Sequence, residues 1–318
     1  MDHVIQRIDE TVRRMNTHPD YNRCVREEQY RDHLTDAASH SIRIEENGEG
    51  MRYSAKEQAQ LYKNLCNAWE HLSRNSITLG TMAVLGKMIE PDKNISNFRT
   101  TEVLIGTVAP SPAAKVPYHV KGLVDYLDST TDHPVLRATE AHIQTARIHP
   151  WVDGNGRGAR LMQDFCLYQH GYPPGVISYD ERKTYQENLR GALAARESRS
   201  SSITSPNTAE RVLHDFIFKQ ILASATTIEE QLKQHRMYMV ELSGIREQGV
   251  LQSIARDIRN YRRSSGHELR VSVERGKKKK NGILYVDGNI DLDQLEEMLS
   301  SDIKKYHGSF RAQVKRTC

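Results

Sequence analysis

The sequence has little of what membrane-spanning, disulfide-stabilised and zinc-binding proteins need. Its four cysteines, Cys24, Cys66, Cys166 and Cys318, are scattered along 318 residues, without the spacing of a metal site or a disulfide framework. No apolar run approaches the length of a bilayer span, and the first residues lack the layout of a secretory signal. We therefore expect no membrane partner and a cytoplasmic location, or delivery into a host cell as an effector.

A charge excess of one sign is also nearly absent. The chain has 45 Lys and Arg against 41 Asp and Glu, a formal charge of +4, which alone indicates no particular partner. Hydrophobic residues make up 37% and charged residues 27%, as in an ordinary globular protein. This length allows one large domain and a smaller one.

Against this plain background, one stretch concentrates chemically active side chains. Residues 149–160 read His-Pro-Trp-Val-Asp-Gly-Asn-Gly-Arg-Gly-Ala-Arg and lie between two segments with helical periodicity. A glycine-rich loop that leads into a helix is a natural anion site, because the first backbone N–H groups of the helix have no partner within it. The stretch therefore predicts a phosphate-binding loop.

The side chains of this loop add a reaction to the anion site. His149 is the side chain in the motif that can act as a general base near neutral pH. Asp153 is an oxygen ligand suited to Mg²⁺, and Arg157 and Arg160 can grip phosphate oxygens. A base, a metal carboxylate, an anion loop and two arginines together indicate nucleotide-dependent transfer chemistry.

Strand signals are few and lie in two regions. Residues 101–106 and 115–119 are short β-type runs around a Pro- and Ala-rich connection, which predicts a loose hairpin or flap with Pro117 in an edge strand. Residues 226–318 predict a small α+β module: one or two helices from Ile228 to Tyr261, a hairpin with a basic turn, and a closing helix.

The motif 149–160 keeps every fixed position of His-Pro-x-x-Asp-Gly-Asn-Gly-Arg-x-x-Arg and thereby resembles the signature of Fic proteins, with Trp151 where Phe is usual. The resemblance extends in layout over about residues 40–225. It implies a mainly α fold, with a Fic-type helical core and a small β-hairpin flap beside the C-terminal α+β module. We expect N-terminal helices over residues 1–50, the catalytic core over 51–225 and the module over 226–318.

The resemblance implies adenylyl transfer (AMPylation), in which a Ser, Thr or Tyr hydroxyl of a target protein attacks the α-phosphorus of ATP. His149 would take the hydroxyl proton and Asp153 would hold Mg²⁺. The implied ATP-binding residues are Gly154, Asn155, Gly156, Arg157, Arg160 and, lining the adenine pocket, Tyr185. An extended target segment would pair with the flap residues, which are Thr101, Glu102, Val103, Leu104, Ile105 and Gly106.

A second motif implies restraint of this activity. Ser41 and Glu45 share a helix face, and Ser41-x-x-x-Glu45 followed by Glu46 and Asn47 resembles the N-terminal inhibitory helix of many Fic proteins. The resemblance implies that Glu45 pairs with Arg160 and occupies the position that the γ-phosphate of ATP needs.

Other interpretations stay open at this point. Glu45 could lie on a solvated helix end, the flap could be inert, and Tyr185 could simply pack in the core. The enzyme could act mainly as a de-AMPylase that uses Glu45. A rival of another class is a nucleic-acid-binding regulator that uses the basic turn Lys277–Lys280. Modification of its own chain and a homo-oligomer are compatible with the sequence, which names no target.

Overall fold

The computed structural model describes residues 2–17, 23–46, 52–105, 108–197, 207–234, 236–243, 249–265, 269–275, 281–288, 292–305 and 311–316. Predictions for Asn47, Gly106 and Lys277–Lys280 lie outside the described residues. The chain divides into two compact units, one formed by Met1–Arg13 and Glu27–Thr226, the other by Arg14–Arg26 and Thr227–Cys318. The predicted start of the C-terminal module lies next to this division.

Helices build almost all of the first unit. They are α1 (Asp2–Thr17), α2 (Arg23–Ile44), α3 (Ala55–Arg74), α4 (Leu79–Ile89), α5 (Val116–Ser129), α6 (Pro134–Ile148), α7 (Asn155–Gln169), α8 (Arg182–Glu197) and α9 (Thr208–Gln234), of which α1, α2 and α9 continue beyond the division. Two short 3₁₀ turns, Ala113–Lys115 and Tyr179–Glu181, precede α5 and α8. None of the described helices is both long and apolar enough to cross a bilayer.

The helices α6 and α7 pack closely together in this unit. The motif 149–160 forms the connection between them, residues 149–154, and the first six residues of α7. Most residues of both helices are buried. Arg196 lies between two buried carboxylates on other helices, donating to both oxygens of Glu140 at 2.7 Å and to Glu210 at 2.5 Å. This buried ion cluster joins α6, α8 and α9. Moving one of these helices away would leave a buried charge without a partner, which would lower the stability of the fold.

Two glycines make room for the indole of Trp151, which is 1% exposed. The indole N–H donates to the carbonyl of Met82 at 3.0 Å. A Cβ atom on Gly86 of α4 or on Gly158 of α7 would overlap the indole ring. Trp151 thereby brings α4 close to the loop and fixes one side of the motif.

We expect Gly86→Ala to lower the free energy of unfolding by about 1–3 kcal/mol, because the new methyl group overpacks a filled core. Chemical denaturation followed by circular dichroism measures the change. Gly122→Ala on α5 is the matched control, since a Cβ there meets nothing within 4 Å. The control should be neutral or slightly stabilising, and equal destabilisation by both substitutions would contradict the steric explanation.

The second unit contains a four-stranded sheet of order β2-β3-β1-β4, in which every neighbouring pair is antiparallel. Its strands are β1 (Arg236–Ser243), β2 (Leu269–Arg275), β3 (Asn281–Gly288) and β4 (Arg311–Arg316), and its helices are α10 (Val250–Ser265) and α11 (Leu292–Lys305). Alternate residues of β1, namely Tyr238, Val240 and Leu242, enter the core of this unit.

The mainly α fold and the C-terminal α+β module are confirmed, but three local predictions are wrong. Residues 115–119 are not a strand: they lie in the 3₁₀ turn and the start of α5, where Pro117 is tolerated because the first helical N–H groups have no partner. The predicted hairpin of two strands is also wrong: among the described flap residues, the pairing consists of one antiparallel bridge, Ile105 to Val108. The predicted helical region Ile228–Tyr261 is interrupted by β1.

Candidate active site

His149 ends α6 in a backbone conformation that is rare for a side chain with a Cβ. Its φ of 52° and ψ of 58° lie in the left-handed region, and its N–H still donates to the carbonyl of Thr145 at 3.0 Å. Nδ1 lies 3.3 Å from the carbonyl oxygen of Ala146. Because a carbonyl only accepts, this contact assigns the proton to Nδ1 and leaves the lone pair of Nε2 available.

The imidazole of His149 is neutral at physiological pH. Burial lowers its pKa to about 4 and outweighs the hydrogen bond to Ala146, which raises the pKa. The charge of Arg99 lowers the pKa further, and the charges of Glu45 and Asp153 raise it. A neutral imidazole with a free Nε2 is the form that a general base requires.

Arg99 was missed by the sequence analysis, yet its guanidinium is fully buried and supports the residue that carries the base. Nε donates to the carbonyl of His149 at 2.7 Å, and the backbone N–H donates to the carbonyl of Pro150 at 2.9 Å. The other nitrogens donate to the carbonyls of Thr101 and Ser111 in the flap. One side chain thus ties both ends of the flap to the left-handed turn.

Asn94 supports the next part of the loop and was also missed. Its side-chain oxygen accepts from the backbone N–H groups of Val152 and Asp153 at 3.0 and 3.1 Å. Its amide nitrogen donates to the carbonyls of Gly86 and Asp153. No local pattern marks either Arg99 or Asn94, because their roles depend on contacts 50 to 59 residues away in sequence.

The Gly-Asn-Gly turn begins α7. Gly154 has a φ of 81°, which favours glycine, and a Cβ there would also press against Ile89. Both polar atoms of the Asn155 side chain bond to the backbone of Trp151, each at 2.9 Å. The side chain of Asn155 therefore shapes the loop. Anion binding by the first N–H groups of α7, including that of Gly156, stays a prediction.

Asp153 is the candidate magnesium ligand. Burial alone would raise its pKa, but hydrogen bonds from Lys93 and from the N–H of Gly154 hold that pKa below its ordinary value, so the carboxylate is ionised. One ionised carboxylate suits Mg²⁺, which takes one or two protein oxygens and fills its other positions with water and phosphate. The described residues contain no cluster of three or more His, Cys, Asp or Glu for another metal.

Arg157 contacts two carboxylates through the same nitrogen. Its Nη2 donates to Glu90 at 2.5 Å and lies 3.5 Å from Oδ1 of Asp153. The side chain is 1% exposed, and neither Nε nor Nη1 has a hydrogen-bond partner. Buried donors without acceptors are rare in proteins, so this guanidinium has capacity for oxygen atoms of a ligand.

Arg160 contacts Ser41 and Glu45, the two residues of the predicted inhibitory motif. Its Nε donates to the hydroxyl of Ser41 at 2.7 Å, and Nη2 donates to the Ser41 carbonyl at 3.0 Å and to the carboxylate of Glu45 at 2.5 Å. A Cβ on Gly156 would overlap that carboxylate. The Glu45 carboxylate therefore lies between the Gly-Asn-Gly turn and Arg160, the two groups predicted to bind phosphate.

Tyr185 is 1% exposed and lies behind Arg160. Its hydroxyl accepts from Nη1 of Arg160 at 3.3 Å and lies 2.9 Å from Nε2 of His142. Burial lowers the pKa of His142 to about 3, and Nδ1 of this histidine is 2.8 Å from the side-chain oxygen of Gln163. The placement favours a role in positioning Arg160, and contact of Tyr185 with adenine stays a prediction.

The flap residues that the structure describes lie outside regular helices and strands and are largely exposed. Leu104 is 72% exposed, and the Glu102 carboxylate accepts from the backbone N–H of Ala113 at 2.9 Å. The carbonyl of Thr101 accepts a hydrogen bond from Arg99, and Ile105 forms the bridge with Val108. An exposed segment next to the turn that carries His149 is suited to strand pairing. Pairing of a target segment with residues 101–106 stays a prediction.

Comparison with known proteins agrees with this geometry. Residues 81–167, from α4 through most of α7, match the model of the Fic/DOC family. The chain contains a Fic domain. It is 35% identical over 97 residues to the protein adenylyltransferase fic-1 of Caenorhabditis elegans, covering 30% of this chain and 19% of that protein. Identity to the protein adenylyltransferase Fic of Nematostella vectensis is 33% over 98 residues, covering 30% and 23%.

Solved structures extend the similarity of fold beyond the Fic domain itself. A Fic domain containing signaling protein from Bacteroides thetaiotaomicron has a TM-score of 0.60 at 19% identity, covering 71% of this chain and 97% of that one. A fragment of Fic-1 from C. elegans has a TM-score of 0.59 at 20% identity, covering 72% of each. The chain spans only about a fifth of the length of the curated relatives, so the comparisons show the Fic domain and its fold.

Proposed function

We propose that the protein is an adenylyltransferase that moves AMP from ATP to a hydroxyl group of a target protein. The observation that carries this proposal is the placement of a neutral base, the start of a helix and two buried arginines within the twelve residues 149–160. The adenylyltransferase names of the relatives matched by the Fic domain support it. The target segment would pair with the exposed flap beside His149.

The chemistry follows from the residues of the loop. Nε2 of His149 takes the proton of the target hydroxyl as that oxygen attacks the α-phosphorus. Backbone N–H groups at the start of α7 bind the phosphates, and Arg157 and Arg160 bind the pyrophosphate end, which leaves with the electrons of the broken P–O bond. Asp153 is the residue that would hold Mg²⁺, which neutralises phosphate charge when it is bound. Lys93 must then release the Asp153 carboxylate.

We also propose that Glu45 restrains this site. Its carboxylate occupies the fork of Arg160 beside Gly156, so a phosphate there would lose a cation and meet a like charge. Glu45 directly follows α2, and the end of that helix is fixed by Arg182, whose Nε donates to the carbonyl of Ile44 at 2.6 Å. The resting enzyme would therefore bind ATP poorly.

Labelled ATP tests the transfer reaction. Protein carrying Glu45→Gly is incubated with Mg²⁺ and ATP labelled at either the α- or the γ-phosphate, together with a cell lysate. We expect α-label on proteins above that of the lysate alone and no gain in γ-label over the lysate alone, because AMP is retained and pyrophosphate leaves. A gain in γ-label that depends on the added protein, without a gain in α-label, would contradict AMP transfer. Removal of AMP from a modified target, with Glu45 required, would instead favour the de-AMPylase alternative.

The pH dependence of transfer follows from the state of His149. Its pKa is lowered to about 4, so the base is unprotonated at neutral pH and takes up a proton only as the pH falls towards that value. We expect the initial rate of Glu45→Gly to stay nearly flat from neutral pH to about one unit above this pKa and then to fall. Circular dichroism at each pH separates this from unfolding. A midpoint near the ordinary histidine pKa of about 6.5 would contradict the burial argument.

A further inference from the structure

A cavity of about 480 Å³ lies between α2, α3 and α7, behind the contact of Glu45 with Arg160. Its described lining includes Arg157 and Arg160 but neither His149 nor Asp153. A space of this size accommodates a small molecule, whereas most well-packed cores leave few voids larger than water. The cavity is therefore distinct from the transfer site but shares two arginines with it.

The helix face that forms one wall of the cavity also carries the restraint. Leu34, Ala38 and Ser41 follow each other at intervals of four and three residues and so lie on one face of α2. Glu45, the first residue after the helix, continues this spacing. Ser41 and Glu45 reach Arg160, while Leu34 and Ala38 face the cavity. One wall of the cavity is thus formed by the helix that leads to Glu45, so a movement of α2 away from Arg160 would open the cavity.

The lining indicates the chemistry of a ligand. Leu65, Trp69 and Leu161 give it an apolar wall. Arg157 and Arg160 add two guanidinium groups to the lining. Burial raises the pKa of Asp164, at the base of the cavity, to about 7, so this carboxyl opposes an anion less than an ordinary aspartate would. An apolar body with one group of acceptor oxygens matches this combination.

We infer that the cavity between α2, α3 and α7 binds a small organic acid, with one carboxylate or phosphate group on an apolar body, and that this ligand holds α2 in the inhibitory position. The regulatory half of this inference rests on the restraint by Glu45 proposed above. A ligand that binds only when α2 forms the wall must stabilise that arrangement of α2. The ligand and ATP then lower each other's affinity for the protein by the same factor.

Trp69 supplies a direct readout of binding. We expect 2-naphthoate to quench Trp69 fluorescence saturably and to bind at least tenfold more tightly than inorganic phosphate or the uncharged 2-naphthylmethanol. Trp69→Phe should remove the quenching, because the other tryptophan, Trp151, is buried elsewhere. No saturable quenching, or equal affinity for the three probes, would refute the proposed ligand chemistry.

Variants of α2 locate the site. Ala38→Phe, or Ala38→Leu if the larger variant fails to fold by circular dichroism, should fill the cavity and weaken 2-naphthoate binding at least tenfold. Ser39→Phe is the matched control, because Ser39 is the exposed neighbour of Ala38 on the same helix. Undiminished binding in both Ala38 variants would place the probe elsewhere and overturn the site.

The regulatory half is tested by measuring ATP binding with and without saturating 2-naphthoate. The unsubstituted protein should bind ATP several-fold more weakly with the probe. Glu45→Gly should show a clearly smaller loss while its Trp69 is still quenched, because only competition for the two shared arginines then remains. An equal loss in both proteins would mean direct competition alone and would overturn the regulatory half. Equal ATP affinity with and without the probe in the unsubstituted protein would overturn the regulatory half. If Glu45→Gly itself fails to raise ATP affinity, the proposed restraint fails, whereas the fluorescence result still decides the site.

Discussion

Replacing His149 with alanine is expected to lower the rate of AMP transfer by roughly 10²–10⁴-fold, the usual contribution of a general base. The structure makes His149 well suited to this role, because its Nδ1 proton is engaged with Ala146 and burial keeps the ring neutral. The turn that carries the ring is held by Arg99 through backbone contacts, so removing the imidazole leaves the loop intact. The loss should therefore appear in kcat and not in ATP affinity.

The measurement is best made in the Glu45→Gly background, where transfer is fast enough to follow over a wide range. Initial rates with α-labelled ATP are compared between Glu45→Gly and Glu45→Gly/His149→Ala, with ATP affinity measured separately. His3→Ala is the matched histidine control, since His3 is exposed on α1. Transfer that survives His149→Ala within a few-fold would show that another group takes the proton.

The residues of the loop itself were predictable because one short segment of sequence carries them. Periodicity placed helices on both sides of residues 149–160, and the charged groups lie at fixed spacings within it. Glu90, Lys93, Asn94 and Arg99 were not predicted, although all four contact the loop. Their contribution arises from packing of α4 and the following segment against the motif, which leaves no local pattern in a single sequence.

The errors in secondary structure have similarly specific causes. Lys115–His119 contains β-favouring residues, but Pro117 suits the first turn of a helix as well as a strand edge. In β1, Tyr238, Val240 and Leu242 alternate with outward residues, so the signal of period two was present and was read as part of a helix. Short apolar runs are ambiguous between the two periods, and here pairing with β3 and β4 decides the outcome.

The association of Glu45 with Arg160 is a contact that the residues alone do not predict, since 115 positions separate the two in sequence. Local reasoning establishes only that Ser41 and Glu45 share a helix face. The structure places that face against Arg160, with three hydrogen bonds to one guanidinium. Because Arg160 is 7% exposed on its side chain and Glu45 is 32% exposed, the pair is partly shielded from water. Removing its acidic member should thus have a larger effect than breaking a surface ion pair.

Glu45→Gly is accordingly expected to raise ATP affinity by about tenfold to a hundredfold, equivalent to roughly 1.4–2.8 kcal/mol, and to raise self-labelling or target labelling in parallel. The physical reason is that the substitution frees a nitrogen of Arg160 for phosphate and removes a negative charge beside Gly156. Calorimetry with ATP and Mg²⁺ measures the affinity, and α-labelled ATP measures transfer.

Two further substitutions separate the charge of Glu45 from the helix that precedes it. Glu45→Gln keeps the length and helix propensity of the side chain, so it should give much of the gain if the carboxylate charge is responsible. Ser39→Gly introduces glycine at an exposed position of α2 and controls for loosening of the helix. An equal gain from Ser39→Gly and none from Glu45→Gln would mean that α2 restrains the site by its presence alone. The restraint would then lie in the position of the helix, and the ion pair with Arg160 would only report it.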